Sequence, residues 1–332
     1  MAITPPYLLF LGDAPDRLAA KTAIGVAYWR PEWCVGQFRL PGCQANLDMP
    51  DMTIEEAAAA GVKTLIVGVA NRGGRISQDW MGVFESAIDA GLDIASGLHS
   101  KVADLPGLAN RAAVKGREIF DVRHPKGDLD VGNGKPRSGK RLLTVGTDCS
   151  IGKMYTSLAL EREMRERGMK ADFRATGQTG IFVAGGGISV DAVVADFISG
   201  AAEQLSPDNE ADHWDVVEGQ GSLFHASFAG VSMGLLHGSQ PDALVMCHAP
   251  GREHMRGLPG VPLPDIADCI ALNEQCARLT NPKAKVIGLA CNTSHLSEAE
   301  AESVMGDLSA KHGLPCADPV RTGVGPLVDA LP

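Results

Sequence analysis

The chain has 332 residues, of which 45% are hydrophobic and only 5% aromatic, with 39 glycines. That length is enough for two ordinary domains, and a glycine-rich, aromatic-poor balance suits α/β architecture with many tight turns. A formal charge of −10 argues against a nucleic-acid groove or an anionic membrane surface as the main partner, so an anionic ligand has to be caught by a local site.

The apolar run YLLFLGD (7–13) reads as a first strand and turn. It has no basic region before it, and no segment approaches the roughly 20 apolar residues of a membrane helix. The eight cysteines are scattered without a CxxC pair, which reads as reduced thiols in a cytoplasm. IEEAAAAG (54–61) predicts a short helix ended by Gly61, and VKTLIVGVA (62–70) a buried parallel strand. The loop NRGGRIS (71–77), a helix through WMGVFESAIDAG and a strand at LDIASGLH (92–99) complete a strand–loop–helix–strand unit. Ligand loops of such sheets sit at the carboxyl ends of strands. Arg72 and Arg75, flanking Gly73-Gly74, fall there and suit a dicarboxylate, with His99 and Lys101 ending the next strand; two solvated charges are the alternative.

The polar, Gly/Pro-rich stretch 124–141 carries the expected domain boundary, giving a domain over 1–134 and a second over 135–332. The second opens with the strand RLLTVG and the loop of GTDCSIGK, then a helix from about Lys153 to Arg167. A strand feeding a glycine-rich turn into a helix start creates an anion site from converging N–H groups and the helix dipole. The expected ligand contacts are Gly146, Thr147, Asp148, Cys149, Ser150, Ile151, Gly152 and Lys153. Gly146 and Gly152 stand one residue further apart than the G-x-x-x-x-G-K-[ST] spacing allows, so Thr147 takes the first-glycine position. Met154 follows the lysine where nucleotide hydrolases place a magnesium-binding hydroxyl. The loop can therefore grip a diphosphate that stays intact, as in coenzyme A. Cys149, beside a helix start and Lys153, is expected to have a lowered thiol pKa; it either forms an acyl-enzyme or simply fits the loop.

WDVVEGQGS (214–222) ends a strand in Glu218, a candidate proton acceptor for an amine, with a loop-capping carboxylate as the alternative. Gly219 and Gly221 are expected to let a ligand approach the backbone. His225 is a candidate proton carrier or a structural histidine, and Ser222 a candidate oxyanion donor. In MCHAPGREHMRGLPG (246–260), Arg252 offers a planar fork for a carboxylate or phosphate, with surface ion pairing as the alternative. GLACNTSHLS (288–297) places Asn292 and Thr293 at a strand end suited to an adenine edge, and Ser297 before a helix with a loose capping order.

GTDCSIGK, VEGQGS and GLACNTS resemble the phosphate loop, glutamate loop and base-side asparagine of dethiobiotin synthetase, over the second domain only. GVANRGGRIS, GLHSK, GTDCSIGKM, GQTGI, EGQGSL, CHAPGR and NTS together look like the bacterial D-glutamate N-acetyltransferase family, over almost the whole chain. The fold expected is α/β in two domains, an N-terminal Rossmann-like parallel sheet and a C-terminal P-loop NTPase-like parallel sheet. The resemblance implies acetyl transfer from acetyl-CoA to the amine of D-glutamate, and Met154 looks like a family trait. On this reading acetyl-CoA lies on the phosphate loop with Asn292 toward the adenine, and D-glutamate lies between the domains on Arg72, Arg75 and Arg252. Glu218 is the first choice of base and His225 the second, and magnesium is not required. A homo-oligomer is expected, with no nucleic acid or membrane partner. The rivals are an ATP-dependent ligase or kinase, and a nucleotide-binding regulator without turnover.

Overall fold

The computed structural model describes residues 2–69, 76–125 and 127–332. Two compact units divide the chain: Met1–Lys126 with Gly177–Ala192, and Gly127–Thr176 with Val193–Pro332.

In the first unit, β1 (Tyr7–Gly12), α1 (Lys21–Trp29), β2 (Cys34–Arg39), α2 (Ile54–Ala59), β3 (Thr64–Val67), α3 (Gln78–Asp89), β4 (Asp93–Ser96), α4 (Leu108–Lys115) and β5 (Ile119–Asp121) alternate. The five strands form one parallel sheet in the order β2-β1-β3-β4-β5. The residues of β1 and β3 are buried throughout, the mark of a sheet covered on both faces. Phe10 meets Trp80 edge to face, 5.2 Å between ring centroids, and both join Leu8, Leu65 and Phe84 in the core. Each such side chain contributes about 1.5–3 kcal/mol by leaving water. Helix α2 starts from a capping box between Thr53 and Glu56.

The second unit contains β6 (Lys140–Gly146), α5 (Lys153–Glu166), β7 (Ala171–Arg174), α7 (Ile198–Leu205), β8 (Trp214–Val217), α8 (Ala229–Ser239), β9 (Ala243–His248), α9 (Ile266–Ala277), β10 (Lys285–Cys291), α10 (Glu298–His312), β11 (Cys316–Ala317) and α11 (Gly325–Asp329). Its six strands are also parallel, in the order β11-β10-β9-β6-β8-β7. Parallel strands end on one edge, so the loops after β6, β8, β9, β10 and β11 gather there. Both parallel sheets agree with the α/β, two-domain expectation.

Three details depart from the sequence reading. Helix α6 (Gln178–Ala184) lies in the second half of the chain yet belongs to the first unit. The Ile3 N–H donates to Gly185 O (2.7 Å) and the Tyr7 hydroxyl to Phe182 O (3.4 Å). The division between units at 126/127 precedes the expected 134/135 because residues 130–134 already dock on α7. The Asn133 and Gly134 N–H groups donate to the Glu203 carboxylate, and a Cβ on Gly200 would lie 1.8 Å from Asp130 O. The capping order at Ser297 is a complete box rather than a loose one, since Ser297 and Glu300 each bond the other's backbone.

Candidate functional site

The loop of residues 147–152 is fixed from below by the neighbouring strand β9 and from the side by its own carboxylate. The Thr147 N–H donates to Cys247 O (3.1 Å), and its hydroxyl lies 3.1 Å from His248 Nδ1. Burial, with Arg252 and His312 nearby, pushes His248 down to about 4, so the imidazole is neutral at physiological pH. Asp148 is fully buried. Its Oδ1 accepts the Cys149 N–H (2.7 Å), and its Oδ2 accepts Arg252 Nη1 and the Arg256 N–H, both at 2.8 Å. Burial by itself would raise the Asp148 pKa, but these donors, Arg252 foremost, hold it below the usual carboxylate value.

Arg252 also donates to Cys149 O (2.8 Å) and Ser150 O (3.0 Å). Its fork thus braces the phosphate loop. Arg72 and Arg75 lie outside the described residues.

Gly152, at φ +104°, begins α5 in a conformation that favours glycine. Among the described residues, the N–H groups of Ser150, Ile151 and Gly152 donate to no protein group. These are the donors an anion needs at a helix start. Lys153 is buried, its Nζ donates to Asp148 O (2.7 Å), and burial pulls its pKa down. The Thr156 hydroxyl donates to Gly152 O within the helix (3.0 Å), so it does not replace the hydroxyl that Met154 lacks.

Glu218 follows β8, buried, with Oε2 accepting the Thr176 N–H (2.9 Å) and its backbone O accepting the Thr176 hydroxyl (2.6 Å). It lies near enough to Lys153 to favour the ammonium form. The neighbouring candidates are already engaged. The Ser222 hydroxyl donates to Thr147 O (3.2 Å) and accepts the Phe224 N–H. His225 Nδ1 accepts the Ser227 N–H (3.1 Å) while Nε2 donates to Arg256 O (3.0 Å), and the ring stacks on Phe228 at 4.5 Å. The Gly219 N–H donates to the Thr144 hydroxyl (2.9 Å). Ser222, His225 and the Gly219 N–H therefore hold the loops together.

Cys149 also departs from expectation. Burial, then the Asp148 carboxylate, push its thiol pKa up, and Lys153 and Arg256 do not offset them. Donor atoms of Asp148, Cys149 and His225 lie within 4.8 Å of one another. Both oxygens of Asp148 and both ring nitrogens of His225 are already spent on hydrogen bonds, so this cluster is loop packing.

On the other side of Gly152, a cavity of 410 Å³ is lined by Ile151, Tyr155, Asn292, Asp318, Val320 and Arg321, among others. Asn292 follows β10, its N–H donating to His248 O (2.9 Å) and its Oδ1 accepting the Ser294 N–H. Its Nδ2 has no partner among the described residues. Thr293 is buried and donates both its N–H (2.9 Å) and its hydroxyl (2.5 Å) to Asp318 Oδ2, so only Asn292 of that pair faces the cavity. Thr176, Asp318, Tyr155 and Arg321 were missed in the sequence. Asp318 alone carried a signal, as the aspartate of ADPVRTG after a short apolar stretch.

No helix among the described residues is long and apolar enough to cross a membrane. Two family descriptions match the chain: "Domain of unknown function (DUF1611_N) Rossmann-like domain" over residues 38–125 and "Domain of unknown function (DUF1611_C) P-loop domain" over residues 130–328. A protein of Tritonibacter scottomollicae named D-glutamate N-acetyltransferase is 55% identical over 329 residues, 99% of each chain. One of the same name from Pseudoalteromonas sp is 51% identical over 331 residues, 100% of each. The crystal structure of a DUF1611-family protein from Anabaena variabilis superposes with a TM-score of 0.85 at 33% identity, covering 99% of both chains. The chain belongs to the DUF1611 family, with a Rossmann-like domain followed by a P-loop domain.

Proposed function

We propose that this protein is a D-glutamate N-acetyltransferase that uses acetyl-CoA as the acetyl donor. Full-length relatives of that name support the reaction. The observation that carries the donor's place is the loop itself. Three unspent N–H groups and Lys153 converge at the start of α5, beside the cavity of Asn292, and the position after the lysine is Met154. Such a site suits a diphosphate that is held and left uncleaved. When bound, acetyl-CoA supplies the thioester acyl group. Ser150, Ile151, Gly152 and Lys153 hold the diphosphate and Asn292 meets the adenine edge, while Glu218 accepts the proton that the D-glutamate ammonium must lose before it can attack.

The test is release of coenzyme A thiol from acetyl-CoA with D- or L-glutamate, with and without EDTA, the product identified by mass. EDTA-insensitive release with D-glutamate, giving N-acetylglutamate, is the expected result. ADP formed from ATP and magnesium, without thiol release, would put the ligase reading in its place. Tight nucleotide binding without any turnover would favour the regulator. Glu218→Gln is expected to lower kcat by about 10²- to 10⁴-fold with the KM for acetyl-CoA little changed. Normal turnover in that variant would remove Glu218 from the role of base.

A further inference from the structure

The first unit carries a second cavity that neither the phosphate loop nor its neighbours explain. Its volume is 510 Å³, and it is lined by Ile76, His99, Ser100, Lys101, Asp104, Leu105 and His124. Apart from Ile76, which precedes α3, these residues follow β4 and β5, whose carboxyl ends lie side by side in the parallel sheet, the place where open α/β sheets bind ligands.

The loop that presents them is built, not slack. Asp121, buried at the end of β5, accepts the N–H groups of Val102 (2.7 Å) and Ala103 (3.0 Å) on its two oxygens. Arg123 donates to Gly97 O (3.1 Å) and pairs with Asp191 at 2.6 Å. His124 Nε2 donates to His99 O (2.9 Å). Residues 97–103 are thereby pinned from three neighbours, while Lys101 and Asp104 stay exposed. Neither Lys101 nor Asp104 is in an ion pair among the described residues. The His99 ring and His124 Nδ1 are also without a protein partner there.

We infer that this cavity captures the acidic amino-acid acceptor in its ammonium form, with carboxylates on Lys101 and the two imidazoles and the ammonium on Asp104, ahead of the proton's loss to Glu218. The mixture of charge selects the ligand class. A phosphate or a plain dicarboxylate would meet repulsion from Asp104, and a simple amine would meet it from Lys101. An amino acid with an acidic side chain satisfies both. The inference rests on the D-glutamate reading for the identity of that amino acid, but not for the site's chemistry.

The experiment uses the full-length protein and two measurements. Ligand-observed NMR with D-glutamate and no acetyl-CoA reads binding, and steady-state kinetics reads the KM of each substrate. Lys101→Ala and Asp104→Asn are expected to raise the KM for D-glutamate about tenfold or more, the loss that follows removal of a charge-assisted hydrogen bond. The KM for acetyl-CoA should stay unchanged, and Lys101→Arg should restore most of the affinity. Both variants alter exposed side chains, so thermal melts matching wild type are expected. An unchanged KM for D-glutamate in both variants, with wild-type turnover intact, would overturn the site and leave the activity standing. Absence of any acetylation by wild type would instead overturn the activity. The NMR signal would then decide the site alone, standing if D-glutamate binds wild type but not the two variants and falling otherwise.

Discussion

Arg252→Ala is expected to lower stability by about 3 kcal/mol at pH 7 and to raise the KM for acetyl-CoA, though the residue need not touch the ligand. Asp148 is fully buried and Arg252 is its only side-chain ion pair among the described residues. Removing one partner of a buried pair leaves a charge that water cannot reach, typically costing about 3–5 kcal/mol. The lower figure applies because two backbone N–H groups stay on the carboxylate and Arg252 is itself a quarter exposed.

The pH dependence gives this prediction a second edge. The folded Asp148 pKa lies below its unfolded value. Its contribution to stability is therefore complete above the unfolded value, about 3.9, and is lost as pH falls through the folded one. Without Arg252, burial dominates and the carboxyl pKa rises. The gap between wild type and variant should then be widest near neutrality, begin to narrow as pH falls through the variant's raised value, and be smallest below the depressed wild-type value. Urea melts at pH 7, 5 and 3.5 check it; a gap independent of pH would mean that the ion pair is not the source. Arg252→Lys should recover the charge but not the brace, because one ammonium cannot match a fork that reaches Asp148, Cys149 O and Ser150 O together.

This pair also marks where reading the chain stops. Strands β1, β3, β6, β8, β9 and β10 are legible because each is built on a largely apolar run bounded by turn residues, and a parallel sheet covered on both faces requires such runs. The phosphate loop is legible because its spacing is local. Partners distant in sequence are not. Arg252 reads as an exposed fork after a strand, and nothing in CHAPGR says that the fork closes on an aspartate in another loop. Nor does the sequence show that His225 and Ser222 bond to Arg256 O, Ser227 N–H and Thr147 O. Helix α6 is invisible for the same reason. GQTGI has the composition of a loop beside the second sheet, while its packing against Gly97 and Tyr7 is a matter of tertiary contact. Glu218 and Asn292 are easier to single out because both sit at strand ends, where a parallel sheet exposes whatever follows.

Gly219→Ala is expected to cost about 3 kcal/mol or more, a fall in Tm of roughly 6–12 °C. A Cβ built there lies 1.6 Å from Thr144 O and 3.1 Å from Lys153 Cδ. The loop after β8 cannot retreat easily, because the Gly219 N–H is bonded to the Thr144 hydroxyl, which also meets Ser157 Oγ at 2.9 Å. Central strand, glutamate loop and phosphate-loop helix are thus joined at one threonine, and an added methyl has to break one of those joints. Gly306→Ala is the matched control. Gly306 lies inside α10 in the same unit, and a Cβ there meets nothing within 4 Å. That substitution should stabilise by about 0.5–1 kcal/mol through helix propensity. Opposite signs from one chemical change would show that Gly219 serves the approach of two protein backbones. If Gly219→Ala instead kept the wild-type Tm and lost only affinity for acetyl-CoA, the glycine would be making room for the ligand, as its place in VEGQGS first suggests.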